Sequence, residues 1–215
     1  MTNETRRVEV ASQFRELGHE LLARDVDDDR LEEMSSRLGE LLLMVRSGTP
    51  RVRTAPSGSL ASFKMAIPEV GKDERHQLFS DSIVTGAANP MGLGGYLWRE
   101  GDVAVQEFTL GKAFEGAPGR AHGGIIAAII DETMGLVLAI NSQLAFTAQL
   151  DIAFVAPAPI NVPLTARAWL REQNGRKISI ESNVEADGGL IAKATALFIS
   201  VDPKRFLEVL SPPNQ

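Results

Sequence analysis

Arg120-Ala121-His122-Gly123-Gly124-Ile125-Ile126-Ala127-Ala128-Ile129-Ile130-Asp131-Glu132 is the stretch on which the reading of this chain turns. A His-Gly-Gly turn leads into an apolar run that continues to Ile140 and carries Asp131 nine residues after His122. Glycine lets the backbone approach a ligand closely. The unpaired N–H groups of a helix start favour a developing oxyanion. An acid inside an apolar helix needs a reason to be there, and catalysis is one such reason. The run from 124 to 140 is shorter than the ~20 residues of a membrane span, and Asp131 and Glu132 interrupt it. It reads as a buried helix, with no membrane as partner.

Beyond the helix the periodicity changes to that of strands. From Leu144 to Val155 the even positions Leu144, Phe146, Ala148, Leu150, Ile152 and Phe154 are apolar, whereas the odd ones include Thr147, Gln149 and Asp151. This period of two predicts a strand with one face in the core. Three more strands are expected at about 161–172, 176–187 and 190–201, joined by the short-hairpin signals Asn174-Gly175 and Asp187-Gly188-Gly189. Upstream, two strand-like runs between Tyr96 and Leu110 break at Glu100-Gly101-Asp102, and Gly111 to Gly119 reads as a loop. There is no βαβ alternation. One long helix, apolar nearly all round, preceded by at least one strand and followed by four, predicts an α+β fold: an antiparallel sheet wrapped around a central helix.

The N-terminal part reads as an appended helical hairpin over 1–48. Val10, Phe14, Leu17 and Leu21 keep one face, and Leu31, Met34, Leu38, Leu41 and Val45 keep another. Asp27, Asp28 and Asp29 between them supply an N-cap and a negative first turn. The apolar stripes are expected to bury on the main domain or on a partner subunit. Gly48 and Pro50 end the hairpin, residues 49–78 have a linker's composition, the main domain takes 79–203 and residues 204–215 form a tail. Arg51, Arg53, Lys64, Lys72 and Arg75 read as solvated linker charges.

Composition narrows the chemistry. The chain has 215 residues with 44% hydrophobic content, enough for a substantial core. A formal charge of −6 argues against nucleic acid as a partner. With no cysteine there is no disulfide, thiol nucleophile or thiolate metal site, and a cytoplasmic location is expected. The N-terminus lacks the apolar run of a signal peptide. No metal site is expected. No Gly-x-Ser-x-Gly elbow, phosphate loop, dinucleotide fingerprint or His-Glu-x-x-His occurs.

In this order the pieces resemble the hotdog-fold acyl-CoA thioesterases, in the phenylacetyl-CoA-thioesterase-like branch that has a His-Gly-Gly turn and an aspartate further along the central helix. The resemblance spans roughly 79–203. It rests on Asn89-Pro90-Met91-Gly92-Leu93, similar to the family's Asn-Pro-x-Gly-Leu, on His122-Gly123-Gly124 with Asp131, and on Phe146-Thr147-Ala148. It implies a hydrolase that cleaves an acyl-CoA thioester to free acid and coenzyme A, with no cofactor beyond the coenzyme A of the substrate. Asp131 would be the catalytic acid, the Gly123 N–H the donor to the thioester carbonyl, and Thr147 would lie near the attacking water. His122 would shape the turn and contact substrate, with Gly124 and Asn89 as further substrate contacts. The chain departs from many relatives at Ser82-Ile83-Val84-Thr85-Gly86, where they carry Cys-x-x-Cys-Gly. A thiol or thiolate-metal role is excluded there.

Spacing adds a constraint of its own. Eight residues separate Gly123 from Asp131, which along a helix is ~12 Å. One thioester carbon cannot meet both, so a site that uses both takes them from two subunits of a symmetric pair. A homodimer, or a homotetramer built as a dimer of dimers, is therefore expected. Gly124, Ala127, Ala128, Asp131 and Gly135 cluster on one helix face and leave room for a close neighbour or an acyl chain. The family's dimers imply that Leu144 to Val155 pairs with its copy.

Plainer readings stand beside these. Asp131 is also readable as a helix acid bound to a neighbouring hydroxyl, His122 as a cap of the turn, Gly123 and Gly124 as a tight loop-to-helix turn, Thr147 as an ordinary strand residue, and Asn89-Pro90 as a turn found in any protein. General base and covalent nucleophile remain equal options for Asp131, and acyl-carrier protein remains an option beside coenzyme A as the carrier. A non-catalytic acyl-CoA-binding module with a regulatory N-terminal arm is the competing function. A hotdog hydratase ranks below both, because His122 lies more than two helical turns from Asp131.

Overall fold

The computed structural model describes residues 2–51 and 80–202. Most of the stretch read as a linker over 49–78, the cations Arg53, Lys64, Lys72 and Arg75, and the tail over 204–215 lie outside the described residues.

Helix α1 (Asn3–Ala23) and helix α2 (Asp28–Arg46) begin the chain. Thr2 caps α1 by accepting from the Thr5 N–H, and Asp27 caps α2 by accepting from the Arg30 N–H at 3.0 Å. Asp28 and Asp29 sit in the first turn of α2 and Arg46 in its last, each sign matching the helix dipole. The strands and the central helix follow: β1 (Tyr96–Glu100), β2 (Val103–Thr109), β3 (Glu115–Ala117), β4 (Arg120–Ala121), α3 (Gly123–Ile140), β5 (Ala145–Phe154), β6 (Pro163–Asn174), β7 (Lys177–Ala186) and β8 (Gly189–Ser200).

Six strands form one antiparallel sheet in the order β1-β2-β6-β7-β8-β5. The β7–β8 hairpin turns at Asp187 and Gly188, with φ of 48° and 75°. Positive φ at both loop positions is the type I′ geometry whose twist suits adjoining strands, and glycine adopts it without steric cost. Along β7 burial alternates without interruption, so Ile178, Ile180, Val184 and Ala186 face inward. Against that face lies α3, whose Ile126, Ile129, Ile130, Met134 and Val137 are buried with Phe108, Leu164 and Phe198 of the sheet. This helix has the length and apolarity of a membrane span, and its apolar side is spent on the core.

Two sequence expectations change on folding. The stretch 111–119 is more ordered than a loop, with a 3-10 turn at Lys112–Phe114 and β3 paired to β4. The His122 N–H, donating to the Phe114 carbonyl at 2.8 Å, ties this stretch to the start of α3. Strand β5, expected to keep one face in the core, is mostly open: only Ala145, Leu150 and Ile152 are half-buried, while Phe146 is 40% and Phe154 56% exposed. The cause is position, since β5 is an edge strand paired only with β8, and a bulge between Thr147 and Gln149 shifts its register.

The N-terminal helices dock mainly through polar groups. The Arg15 guanidinium donates to the carbonyls of Ala87 and Asn89, and His19 Nδ1 accepts from the Ala113 N–H at 3.0 Å while its ring meets Phe114 edge-on. Ala11 is the only buried residue of α1 described, and α2 has none. The apolar stripes, expected to bury on the domain or on a partner subunit, line a groove of about 630 Å³ where Phe14 and Leu41 remain 41% and 45% exposed, so in the single chain the domain does not bury them. The carbonyls and N–H of the domain that α1 reaches call for polar partners, so Arg15 and His19 make the contact and the stripes do not.

At the start of α3 His122 is the N-cap, its Nδ1 accepting from the Gly124 N–H at 3.0 Å. His122→Ala removes that acceptor and is expected to cost about 1 kcal/mol in urea unfolding, with most of it recovered in His122→Asn. Burial, assisted by the positive charge of Arg15 and opposed by Glu20, holds the His19 pKa below its ordinary value. A histidine so depressed stabilises the fold above its unfolded pKa of about 6.5, and that stability is lost as pH falls below it. His19→Gln keeps an acceptor for Ala113 without the titration, so its melting temperature should fall less between about pH 7 and pH 5 than that of the wild type.

Candidate active site

Asp131 lies on the open side of α3, exposed, where the helix faces β5. The Thr147 hydroxyl, next to the β5 bulge, donates to Asp131 Oδ1 at 3.0 Å. The other carboxylate oxygen has no partner among the described residues. A carboxylate with one oxygen steadied and the other free is arranged to accept a proton from water or to attack an electrophile. Together Asp131 and Thr147 border a cleft of about 490 Å³. Its floor is Ala128 and Gly135 of α3, and its walls are Val84 and Thr85 on one side and Ala145 and Phe146 on the other. The groove between α1 and α2 is larger, but its lining has Arg6 and Arg7 among apolar residues and no carboxylate. The cleft beside Asp131 is therefore the candidate site, since it joins that carboxylate to an apolar lining.

The other expected site residues are at the far end of α3. The Gly123 N–H has no acceptor among the described residues, as befits the first position of a helix. The Gly124 N–H is occupied by His122, whose Nδ1 lone pair is committed to it, so the proton of the neutral ring sits on Nε2. Phe154 of β5 stands over Gly123: a Cβ there would lie 3.3 Å from the Phe154 ring. Strand β5 thus runs along α3 in the opposite direction, with Thr147 beside Asp131 and Phe154 beside Gly123. Neither Gly123 nor His122 lines the Asp131 cleft, in keeping with ~12 Å of helix between them. Asn89 is elsewhere again. Its amide donates to the Asp81 carbonyl and its carbonyl accepts from the Met91 N–H, so the side chain holds its own turn and stays out of the cleft.

Glu132 is the functional group that the sequence reading left without a role. One residue past Asp131, it also lines the cleft and receives the Ser82 hydroxyl on Oε2 and the Thr85 hydroxyl on Oε1, both at 2.6 Å. Gln106 Nε2 adds a third donor at 3.2 Å, and the Gln106 carbonyl oxygen is reached by the Thr133 hydroxyl at 2.7 Å. Thr85, Gln106 and Thr133 are 1%, 0% and 0% exposed. The signals were present: a glutamine in the apolar strand Val103–Thr109, and two hydroxyl residues three apart in Ser82-Ile83-Val84-Thr85. Only the fold shows that they share one carboxylate. Among the described residues no group of histidine, aspartate and glutamate side chains could hold a metal ion.

The chain is similar to known proteins in sequence and in fold. Residues 118–193, from the turn before β4 into β8, match the thioesterase superfamily model. The chain is 37% identical over 103 residues to acyl-coenzyme A thioesterase THEM4 of Mus musculus, covering 47% of this chain and 44% of that protein. It is 30% identical over 145 residues to the Bos taurus THEM4 thioesterase, covering 64% of this chain and 58% of that one. It therefore spans about half the length of these curated relatives. A crystal structure of a thioesterase superfamily protein matches with a TM-score of 0.73 at 24% identity, covering 90% of both chains, and shows the same fold. Its matched segment is similar to the thioesterase superfamily, and its sheet wrapped on a central helix is the fold of that solved structure.

Proposed function

We propose that this protein hydrolyses an acyl-CoA thioester, with Asp131 as the group that activates water or attacks the carbonyl. The observation that carries the reading is the 3.0 Å pair of Thr147 and Asp131 at the mouth of an apolar-walled cleft. The names of the mouse and bovine relatives agree with it. In the general-base form, Asp131 takes a proton from a water whose oxygen bonds the thioester carbon. Charge moves to the carbonyl oxygen, where the Gly123 N–H and the dipole of α3 receive it. Collapse breaks the C–S bond, and the thiolate of coenzyme A leaves with the proton that Asp131 had taken up. In the covalent form an Asp131 oxygen displaces the thiolate, and water then hydrolyses the mixed anhydride.

The carbonyl donor and the acid come from two subunits. Strand β5 offers a ten-residue edge with β8 on one side only. An antiparallel copy paired about the strand's centre sets the partner's Thr147 across from Ile152, two residues from the Phe154 that stands over Gly123. The partner's Asp131, carried beside it, then reaches the Gly123 N–H that its own chain keeps ~12 Å away. The twofold axis makes two such sites, and the exposed Phe146 and Phe154 gain cover.

Purified Asp131→Asn should lose about a thousandfold in kcat, and Thr147→Ala about tenfold, against acyl-CoAs from butyryl to palmitoyl. A folded Asp131→Asn protein with wild-type turnover overturns the reading. Sedimentation equilibrium should find a dimer or a dimer of dimers. A monomer that turns over at the full rate would rule out the shared site.

A further inference from the structure

The half-buried carboxylate of Glu132, beside the proposed catalytic one, has no part in the reaction as written, yet three donors converge on it. Ser82 and Thr85 lie one turn apart in a tightly folded segment. The Gly86 N–H donates to the Ser82 carbonyl at 3.1 Å, the Val84 N–H to Ser82 Oγ at 3.1 Å, and the Leu93 N–H to the Ile83 carbonyl at 3.1 Å. The backbone closes so tightly that a Cβ on Gly86 would stand 2.3 Å from the Ser82 nitrogen, a contact only glycine avoids. This turn therefore moves as one piece. Its hydrogen bonds to α3 run through the Ser82 and Thr85 hydroxyls, which take opposite oxygens of Glu132. Gln106 of β2 holds the same carboxylate from the sheet side. Ile83, Val84 and Thr85 also line the cleft, as Phe146 does.

We infer that Glu132 is a positioning residue: it clamps the Ser82–Thr85 turn to α3 and thereby sets the acyl-chain selectivity of the cleft beside Asp131. The inference rests on the thioesterase reading above for its substrate. Removing the carboxylate leaves two hydroxyls and an amide without their acceptor in a buried place, a loss that the turn relieves by moving away from the helix. The wall then retreats and the cleft widens, while Asp131, Thr147 and the Gly123 N–H keep their own supports.

The test uses the full chain, with steady-state kinetics over saturated acyl-CoAs from butyryl to palmitoyl. Glu132→Ala, and separately the double variant Ser82→Ala/Thr85→Ala, should raise KM for the best wild-type substrate about tenfold, as expected for the loss of one to two hydrogen bonds. Both should flatten the dependence of KM on chain length and leave kcat within about threefold, whereas Asp131→Asn loses kcat at every length. The double variant keeps Glu132 and Gln106 in place, so it carries the test should Glu132→Ala fail to fold. Hydrogen exchange at the Val84, Gly86 and Leu93 amides reads the clamp without any substrate and should quicken in both variants. Wild-type KM profiles or wild-type exchange in the folded variants would overturn the inference. A wild-type protein that hydrolyses none of the series, with exchange still quickened in the variants, would instead overturn the thioesterase reading and leave the clamp standing.

Discussion

The burial of α3 against the sheet is the constraint from which the rest of this molecule follows. A helix that spends Ile126, Ile129, Ile130, Met134 and Val137 on the core has little freedom to rotate about its axis. Two acids in succession on such a helix point ~100° apart. One faces outward and the other is half-buried. Asp131 takes the outward place, where a hydroxyl steadies one oxygen and the cleft leaves the other open. Glu132 takes a half-buried place, where partial burial without donors would be costly and three donors meet it.

The same helix explains why the proposed site takes its two halves from two chains. Its N-terminus presents an unpaired N–H at Gly123, and its middle presents Asp131. The length of a rigid rod keeps the two apart. Strand β5 bridges this separation by running alongside, touching both ends without joining them. An edge strand with exposed phenylalanines is a liability in isolation. In the proposed dimer its position would give the liability a use, because a second copy on that edge would complete the site and cover the apolar surface together.

Legibility in the sequence followed the range of the interactions. The β7–β8 turn was readable from Asp187-Gly188-Gly189 because a type I′ turn is decided by its own residues. The N-cap at Asp27 and the turn at His122 were readable for the same reason. The open face of β5 was not, because alternation reports which side chains share a face and says nothing of whether another element covers it. The polar docking of α1 was likewise hidden. Apolar stripes at helical spacing predict burial, but His19 and Arg15, which make the contact, look like ordinary surface residues until Ala113, Ala87 and Asn89 are brought to them. Asn89, a candidate for substrate, turned out to spend its side chain within its own turn.

The sequence by itself determined the apolar central helix, the strands after it with their tight turns, and the identity of the outward acid, because each depends on neighbours within a few residues. Even the separation of Gly123 from Asp131 was available, since helical rise is a property of the backbone. Tertiary structure alone decided that Thr147 meets Asp131 across sixteen residues and that Ser82 and Thr85 meet Glu132 across fifty and forty-seven. Those contacts arise when a loop, a strand and a helix are packed around one core, and no local preference specifies which distant hydroxyl a carboxylate will find.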